Sequence, residues 1–328
     1  MNVSTLPGDN EVIVGVDIGG TKMMAVVYDR AFNKLGVSRK RSKDKKGGES
    51  ESRVLTVIQE ALQDAGNPVL KGIGVGAPGP LDPHTGVIID TPNLGWKNYP
   101  LADTLGRTFK VPVVLDNDVN VGTYGEWCST DLHACRHVLG IFPGTGIGGG
   151  IIINGKILQG FSGAAGEVGH MTILPDGPYC GCGKRGCLEA LASRIAIAKE
   201  VAALAAREDA PFILEKCGTS LNEIRSGILA RAIELGETKV EGVVRQAAYF
   251  LGMAVGNLIN ILSPEAVVLG GGLVEAMEML FLEEVNRGVK DHAMPFLRKG
   301  VQIRAAKLGD DAVVRGAAHL ILEYLEKM

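Results

Sequence analysis

The stretch EVIVGVDIGGTKMMAVVYD, Glu11–Asp29, decides how the rest of the chain is read. A β-branched run, Val12–Val16, enters a glycine pair, and a second apolar run, Met23–Tyr28, leaves it. Such a layout predicts strand, tight turn, strand. The layout returns in HVLGIFPGTGIGGGIIING at 137–155. Two copies of one supersecondary unit predict duplicated halves, with a cleft between them as a natural ligand site.

Outward from these hairpins, strands and helices alternate. LGVSRKRSKDKK follows the first hairpin as a strand running into a charged loop. Residues 52–66 carry helical apolar spacing at Val54, Leu55, Ile58, Ala61, Leu62 and Ala65. LKGIGVGAPGP is a short buried strand, GVIIDTPNLGW a strand and loop, PLADTLGRTF a helix, and VPVVLDND a strand ending in acids. Helices fill much of 188–258, EAVVLGGGL is another strand into a glycine turn, and 312–328 is a final amphipathic helix. The pattern is α/β. Residues 1–10 read as a frayed leader.

The 328 residues suit about two domains. The 45 glycines are roughly twice the average usage of about 7%, and they need a structural reason. A net charge of −3 argues against a broad basic surface for nucleic acid. The one charge run, RKRSKDKK at 39–46, is diluted by Asp44, Glu49 and Glu51 and reads as a solvated hairpin loop. The most apolar stretch, Phe250–Leu273, is interrupted by Asn257, Asn260, Ser263, Pro264 and Glu265, which argues against a membrane span. No secretion signal is evident, and the cytoplasm is the expected compartment.

Several glycine motifs fail on context. GTGIGG at 144–149 and GVGAPG at 74–79 match a dinucleotide fingerprint, but neither opens a helix. GIIINGKI at 150–157 lacks the hydroxyl residue of a P-loop, and Asn154-Gly155 reads as a hairpin turn. Protein-kinase signatures are absent. A phosphate site remains. Gly19 and Gly20 let backbone N–H groups approach an anion, Thr21 and Lys22 add donors and charge, and Asp17 suits a hydrated magnesium. Gly144, Thr145 and Gly146 offer a second set of donors, and the glycines at 270–272, including Gly271 and Gly272, suit a close pass by a flat base. One such turn alone is more often a plain hairpin; two in duplicate contexts point to a nucleotide clamp. Asp116-Asn117-Asp118 taken alone reads as a cap or turn, but a strand end in an α/β sheet faces the ligand crevice.

Of six cysteines, three cluster in CGCGKRGCLE. With His170 of GEVGH, Cys180, Cys182 and Cys187 make a Cys₃His set, typical of closed structural zinc. Zinc there would fix the flanking carboxylates Glu167 and Glu189, which suit hydroxyl groups of a polar substrate.

DIGGTK, NDVN, GTGIGGG, AAGEVGH and CGCGKRGCLE together resemble the ROK family of repressors, open-reading-frame proteins and sugar kinases, and TPNLGW is similar to its glucokinase members. The likeness runs from about Val12 to the last helix. It implies an actin-like (ribonuclease H-like) two-lobe fold of duplicated βββαβα-type halves with a zinc-binding loop. The lobes would be 1–117 with 312–328, and 118–311. It implies ATP with magnesium as phosphoryl donor, zinc as a structural ion and a hexose, foremost glucose, as acceptor. Asp118 would be the general base. Asn117, Glu167, His170 and Glu189 would bind sugar hydroxyls, with Gly79 and Asn93 lining the pocket. A homodimer or higher homo-oligomer is implied as well. Val119 stands where the family usually has Ala, a small departure. Kinases for fructose or N-acetylmannosamine and noncatalytic sugar-responsive regulators are the rival readings. The repressors carry an added N-terminal helix-turn-helix, for which a first strand beginning near Glu11 leaves no room.

Overall fold

The computed structural model describes residues 11–42, 50–91 and 93–328. The leader at 1–10 and the second half of the charge run, 43–46, lie outside the described residues.

In chain order the strands are β1 Glu11–Ile18, β2 Lys22–Tyr28, β3 Lys34–Arg41, β4 Val69–Ala77, β5 Leu81–Asp82, β6 Val87–Thr91, β7 Trp96–Tyr99, β8 Val113–Asn117, β9 His137–Pro143, β10 Ile147–Ile153, β11 Lys156–Ile157, β12 Ala266–Leu269 and β13 Gln302–Ala305. The helices are α1 Ser50–Asp64, α2 Leu101–Phe109, α3 Asp118–Ser129, α4 Leu188–Ala192, α5 Arg194–Ala206, α6 Pro211–Cys217, α7 Ser226–Glu234, α8 Thr238–Leu262, α9 Gly272–Ala276, α10 Glu278–His292, α11 Pro295–Arg298 and α12 Ala312–Lys327.

Two five-stranded sheets dominate, in the orders β3-β2-β1-β4-β8 and β11-β10-β9-β12-β13. Numbered within each copy, both orders are the same, 3-2-1-4-5. The duplication inferred from the two hairpins is thus a duplication of whole-sheet topology, the actin-like (ribonuclease H-like) pattern. A small antiparallel sheet, β5-β6-β7, is additional.

The chain divides into two compact units. The first is Met1–Ala134, Gly150–Gly166 and Asp310–Met328; the second is Cys135–Gly149 and Glu167–Gly309. Relative to the lobe bounds expected from sequence, α3 and residues 150–166 fall in the first unit. Packing explains the place of α3: it lies against α12, and Tyr124 Oη donates to Glu323 at 2.8 Å.

In the first unit, the side chains of β1 and β2 alternate between two cores. Val12, Val14, Val16 and Ile18, with Met23, Ala25 and Val27, pack with Val54, Val57, Ile58 and Ala61 of α1. Ile13, Met24, Val26 and Tyr28 pack with Val314, Ala318, Ile321 and Leu325 of α12. Both faces are covered, so the strands read as unbroken apolar runs. The helix α12 lies so close to the sheet that a Cβ on Gly15 or Gly74 would overlap the carbonyls of Val314 and Ala317. This close approach is one structural reason for the high glycine content. Of the basic run, Lys40 pairs with Glu60 at 2.8 Å, and Arg39 lies 3.9 Å from Asp310. No helix among the described residues is long and apolar enough to cross a membrane.

Candidate active site and metal centre

Register in the first sheet assembles one group of expected site residues. β1, β4 and β8 are parallel, with Asp17 beside Gly76, Gly76 beside Asp116, and Ala77 beside Asn117. The strands therefore deliver Asp17 and the 19–22 turn, Gly79, and the Asn117-Asp118 pair to one end of the sheet, the end where α/β folds bind ligands. The turn closes through Gly19 N donating to Lys22 O at 2.9 Å. Lys22 Nζ donates to Asp310 Oδ1 at 2.6 Å, on the segment just before α12. Asn93 is exposed, and its Nδ2 lies 3.7 Å from the place a Gly20 Cβ would take.

Asp118 is the first residue of α3, not the tail of a strand. Asn117 caps that helix, its Oδ1 accepting from Val119 N at 2.9 Å and Asn120 N at 3.4 Å. The capping reading of the cluster therefore holds at Asn117. The cap occupies Oδ1, and Nδ2 faces the surface where Gly79 lacks a side chain, 3.5 Å from an added Cβ. Asp116, 2% exposed, anchors the corner. Its carboxylate accepts from Asn117 N at 2.7 Å, Asn120 Nδ2 at 2.9 Å and Gln159 Nε2 at 2.6 Å. Burial pushes its carboxyl above the usual range against those three bonds. The Asp17 carboxyl is pushed up to about 7, first by burial and then by the negative charge of Asp118, with Lys22 opposing. A cation or a proton relieves such a carboxylate pair.

In the second unit, β9 and β12 are parallel, with Ile141 beside Leu269. Their ends place Gly144, Thr145 and Gly146 beside Gly270–Gly272. The contact is close: a Cβ on Gly270 would come within 2.5 Å of the Phe142 ring, and one on Gly271 within 2.8 Å of Pro143 O. Gly271 has φ +81°, a conformation that favours glycine. Gly144 faces open space.

The four expected metal ligands come together. One donor atom each from His170, Cys180, Cys182 and Cys187 lies within 4.8 Å of the others. Zn–S bonds of about 2.3 Å place two sulfurs of a tetrahedron about 3.8 Å apart, and a sulfur and a nitrogen about 3.6 Å apart. Cys182 Sγ and Cys187 Sγ are 3.7 Å apart, and Cys180 Sγ and His170 Nδ1 are 3.6 Å apart. The donor set fits zinc in both chemistry and spacing. His170 turns Nδ1 to the thiols, and Nε2 lies 4.0 Å from Glu167 Oε2.

Glu189 departs from a purely substrate-facing role. Its Oε2 accepts from Ile147 N at 3.0 Å, and Oε1 lies 3.9 Å from Cys180 Sγ. Sequence reasoning also missed Arg194, which contacts Thr145 Oγ1, and the bond from Gln159 to Asp116. Gln159 stands apart from Asp116 in sequence, and Arg194 opens an alanine-rich helix; neither carries a local signal.

Comparison with known proteins agrees with this architecture. Residues 13–324 match the ROK family. The chain is 36% identical to a glucokinase of Halalkalibacterium halodurans over 96% of both chains. It is 30% identical to a xylose repressor of Caldicellulosiruptor bescii, over 94% of this chain and 78% of that one. The crystal structure of a ROK family glucokinase from Streptomyces griseus in complex with glucose and AMPPNP superposes with a TM-score of 0.79. That match is at 31% identity and covers 94% of this chain and 98% of that one.

Proposed function

Since the chain belongs to the ROK family, we propose that it is a sugar kinase of the glucokinase kind, transferring the γ-phosphoryl group of ATP to the 6-hydroxyl of glucose. The observation that carries the reading is the register of β1, β4 and β8, which sets Asp118 at the sheet end shared with Asp17 and the Gly19-Gly20 turn. The glucokinase relatives support glucose as the acceptor.

Phosphoryl transfer needs alignment, neutralised charge and a positioned acceptor. Asp118 takes the hydroxyl proton on its carboxylate as the new P–O bond forms. Asn117 through Nδ2, Glu167 and His170 through Nε2 hydrogen-bond the other hydroxyls, Glu189 contributes Oε1, and Gly79 and Asn93 line the pocket. The backbone donors of Gly19–Thr21 and Gly144–Gly146, with Lys22, receive the phosphates, and Gly271 and Gly272 receive the base. Asp17 would hold a magnesium ion, which would supply positive charge to the phosphates; the crowding of Asp17 and Asp118 fits a cation there. His170, Cys180, Cys182 and Cys187 would hold zinc in a structural role, since four protein ligands would leave no open position. A cytoplasmic homo-oligomer accompanies this reading.

A coupled ADP-release assay over a hexose panel tests it. Glucose is expected to exceed fructose and N-acetylmannosamine in kcat/KM, because a missing or inverted hydroxyl leaves buried polar groups unpaired; 6-deoxyglucose is expected to be inert because it lacks the acceptor hydroxyl. Preference for N-acetylmannosamine would overturn the glucose assignment and leave the kinase. Sugar binding without turnover of any hexose would favour a regulator.

A further inference from the structure

The Gly144–Ile147 turn is gripped by the corner between α4 and α5. Arg194 N donates to Gly144 O at 2.8 Å, and Arg194 Nη2 lies 3.3 Å from Thr145 Oγ1. On the far side of the turn, Glu189 Oε2 accepts from Ile147 N at 3.0 Å. Gly146 passes so close to this carboxylate that an added Cβ would overlap it. The corner itself is rigidly built. Ser193, 3% exposed, caps α5 by accepting from Ala196 N at 3.2 Å, and its own N–H donates to Glu189 O at 3.2 Å. The Arg194 guanidinium is also within 3.5 Å of Leu221 O and Ile224 O.

This corner starts at the metal centre. Cys187 is the N-cap of α4, and Leu188 N donates to Met171 O at 2.9 Å, one residue after His170. A run of bonds therefore leads from the thiol cluster through α4 to both flanks of the turn. Backbone donors aimed at phosphate act only if their direction is fixed beforehand, and glycines fix nothing by themselves.

We propose that Glu189 and Arg194 are positioning residues that hold the Gly144–Ile147 turn in its phosphate-receiving shape, and that the metal loop sets this shape through Cys187 and α4. The proposal rests on the kinase reading for its ligand, a nucleoside triphosphate, but its structural half stands apart from that reading. It extends the reach of the metal from the sugar side to the nucleotide side.

The test uses the metal-loaded full chain, with Arg194→Ala, Arg194→Lys and Glu189→Gln. Dissociation constants for AMPPNP–magnesium and for glucose are measured separately by calorimetry. Metal content is assayed, and amide hydrogen exchange is followed for residues 141–150 without ligand. Arg194→Ala is expected to weaken AMPPNP roughly tenfold, as loss of a charge-assisted contact does. Glucose affinity and metal content should stay near wild type, and exchange at 144–147 should rise. Arg194→Lys should recover part of the nucleotide affinity. Glu189→Gln should speed exchange at Ile147, which a purely sugar-binding role would leave unchanged. Chelating the metal from the wild type should raise exchange in the same segment. Unchanged exchange in all three samples, Arg194→Ala, Glu189→Gln and chelated protein, overturns the brace even if the kinase is active. Raised exchange in a protein that binds no nucleotide overturns the kinase reading and leaves the brace.

Discussion

The two glycine turns occupy the same slot, after the first strand of each sheet, yet they are held in different ways. The first is closed by its own hairpin and by Ser42, whose N–H donates to Thr21 O at 2.9 Å and whose Oγ donates to Gly19 O at 2.5 Å. Its charge is local: Lys22 paired with Asp310, and Asp17 below it. The second turn has no lysine; Ile147 follows its last glycine. It is held by helices α4 and α5, which are fastened to a metal loop. Duplication preserved the strand order and left each copy to find its own way of fixing a flexible turn. One copy keeps charge beside the proposed base, and the other is joined to the His170, Cys180, Cys182 and Cys187 cluster.

The most severe way to break this division is to remove the proposed base. Asp118→Asn should lower kcat by about 10²–10⁴-fold. Thermal stability should hold, because Asn117 rather than Asp118 supplies the cap that satisfies Asn120 N. Steady-state kinetics with glucose checks it; a rate within a few-fold of wild type would move the base elsewhere.

Metal removal probes the second copy. Elemental analysis should find about one zinc per chain. Cys182→Ala should strip it and lower Tm by roughly 10 °C, since metal binding is folding free energy for such a loop. A metal-free sample with unchanged Tm would deny the loop its structural role.

A pH experiment isolates the first copy, because both tryptophans, Trp96 and Trp127, lie in the first unit. His319 stacks on Phe32 at 3.8 Å between ring centres, and its Nε2 lies 3.3 Å from Ser129 Oγ. Burial, then the positive charges of Arg315 and His133, pull its pKa down to about 4. A lowered histidine stays neutral when folded and takes up a proton near 6.5 when unfolded. Its stabilisation is complete above about pH 6.5 and drains away as the pH falls towards 4. At pH 5 the loss is about 2 kcal/mol, read as a lower urea midpoint in tryptophan fluorescence. His319→Phe should flatten that dependence, and an equally steep one in the variant would clear His319.

The smallest effect concerns Lys22 and Asp310, whose side chains are 53% and 56% exposed. Asp310→Asn should change stability by less than about 1 kcal/mol, as exposed pairs do. A larger loss by urea unfolding would mean that the first turn is braced as firmly as the second.

Short-range features were legible in the sequence. The strand–turn–strand units, the helix near 52–66, the last helix and the metal ligands each depend on residues close together in the chain. Asp116-Asn117-Asp118 was half legible. Its place at a strand end could be read, but its two acids and one amide divide into anchor, cap and first helical residue only through Gln159 and α3. Of the β5-β6-β7 sheet only β6 was read, in GVIIDTPNLGW; β5, β7 and β13 are too short to leave a periodic trace. The assignment of α3 to the first unit depends on α12, almost two hundred residues downstream, so no local pattern announces it. Arg194 shows the same limit, since its partners at 144 and 145 lie some fifty residues upstream.

The packing of α12 on the first sheet has a consequence for biosynthesis. A ribosome delivers β1–β8 early, yet one face of that sheet is covered by Val314, Ala318, Ile321 and Leu325. The second unit ends at Gly309. The half translated first is therefore expected to finish folding last, emerging with an apolar face that awaits its cover. Chains released before Ala312 should contain a folded second unit joined to an aggregation-prone first one, a reversal of the usual N-terminal-first order. Limited proteolysis of stalled nascent chains would display it as protection of 167–309 ahead of 11–134.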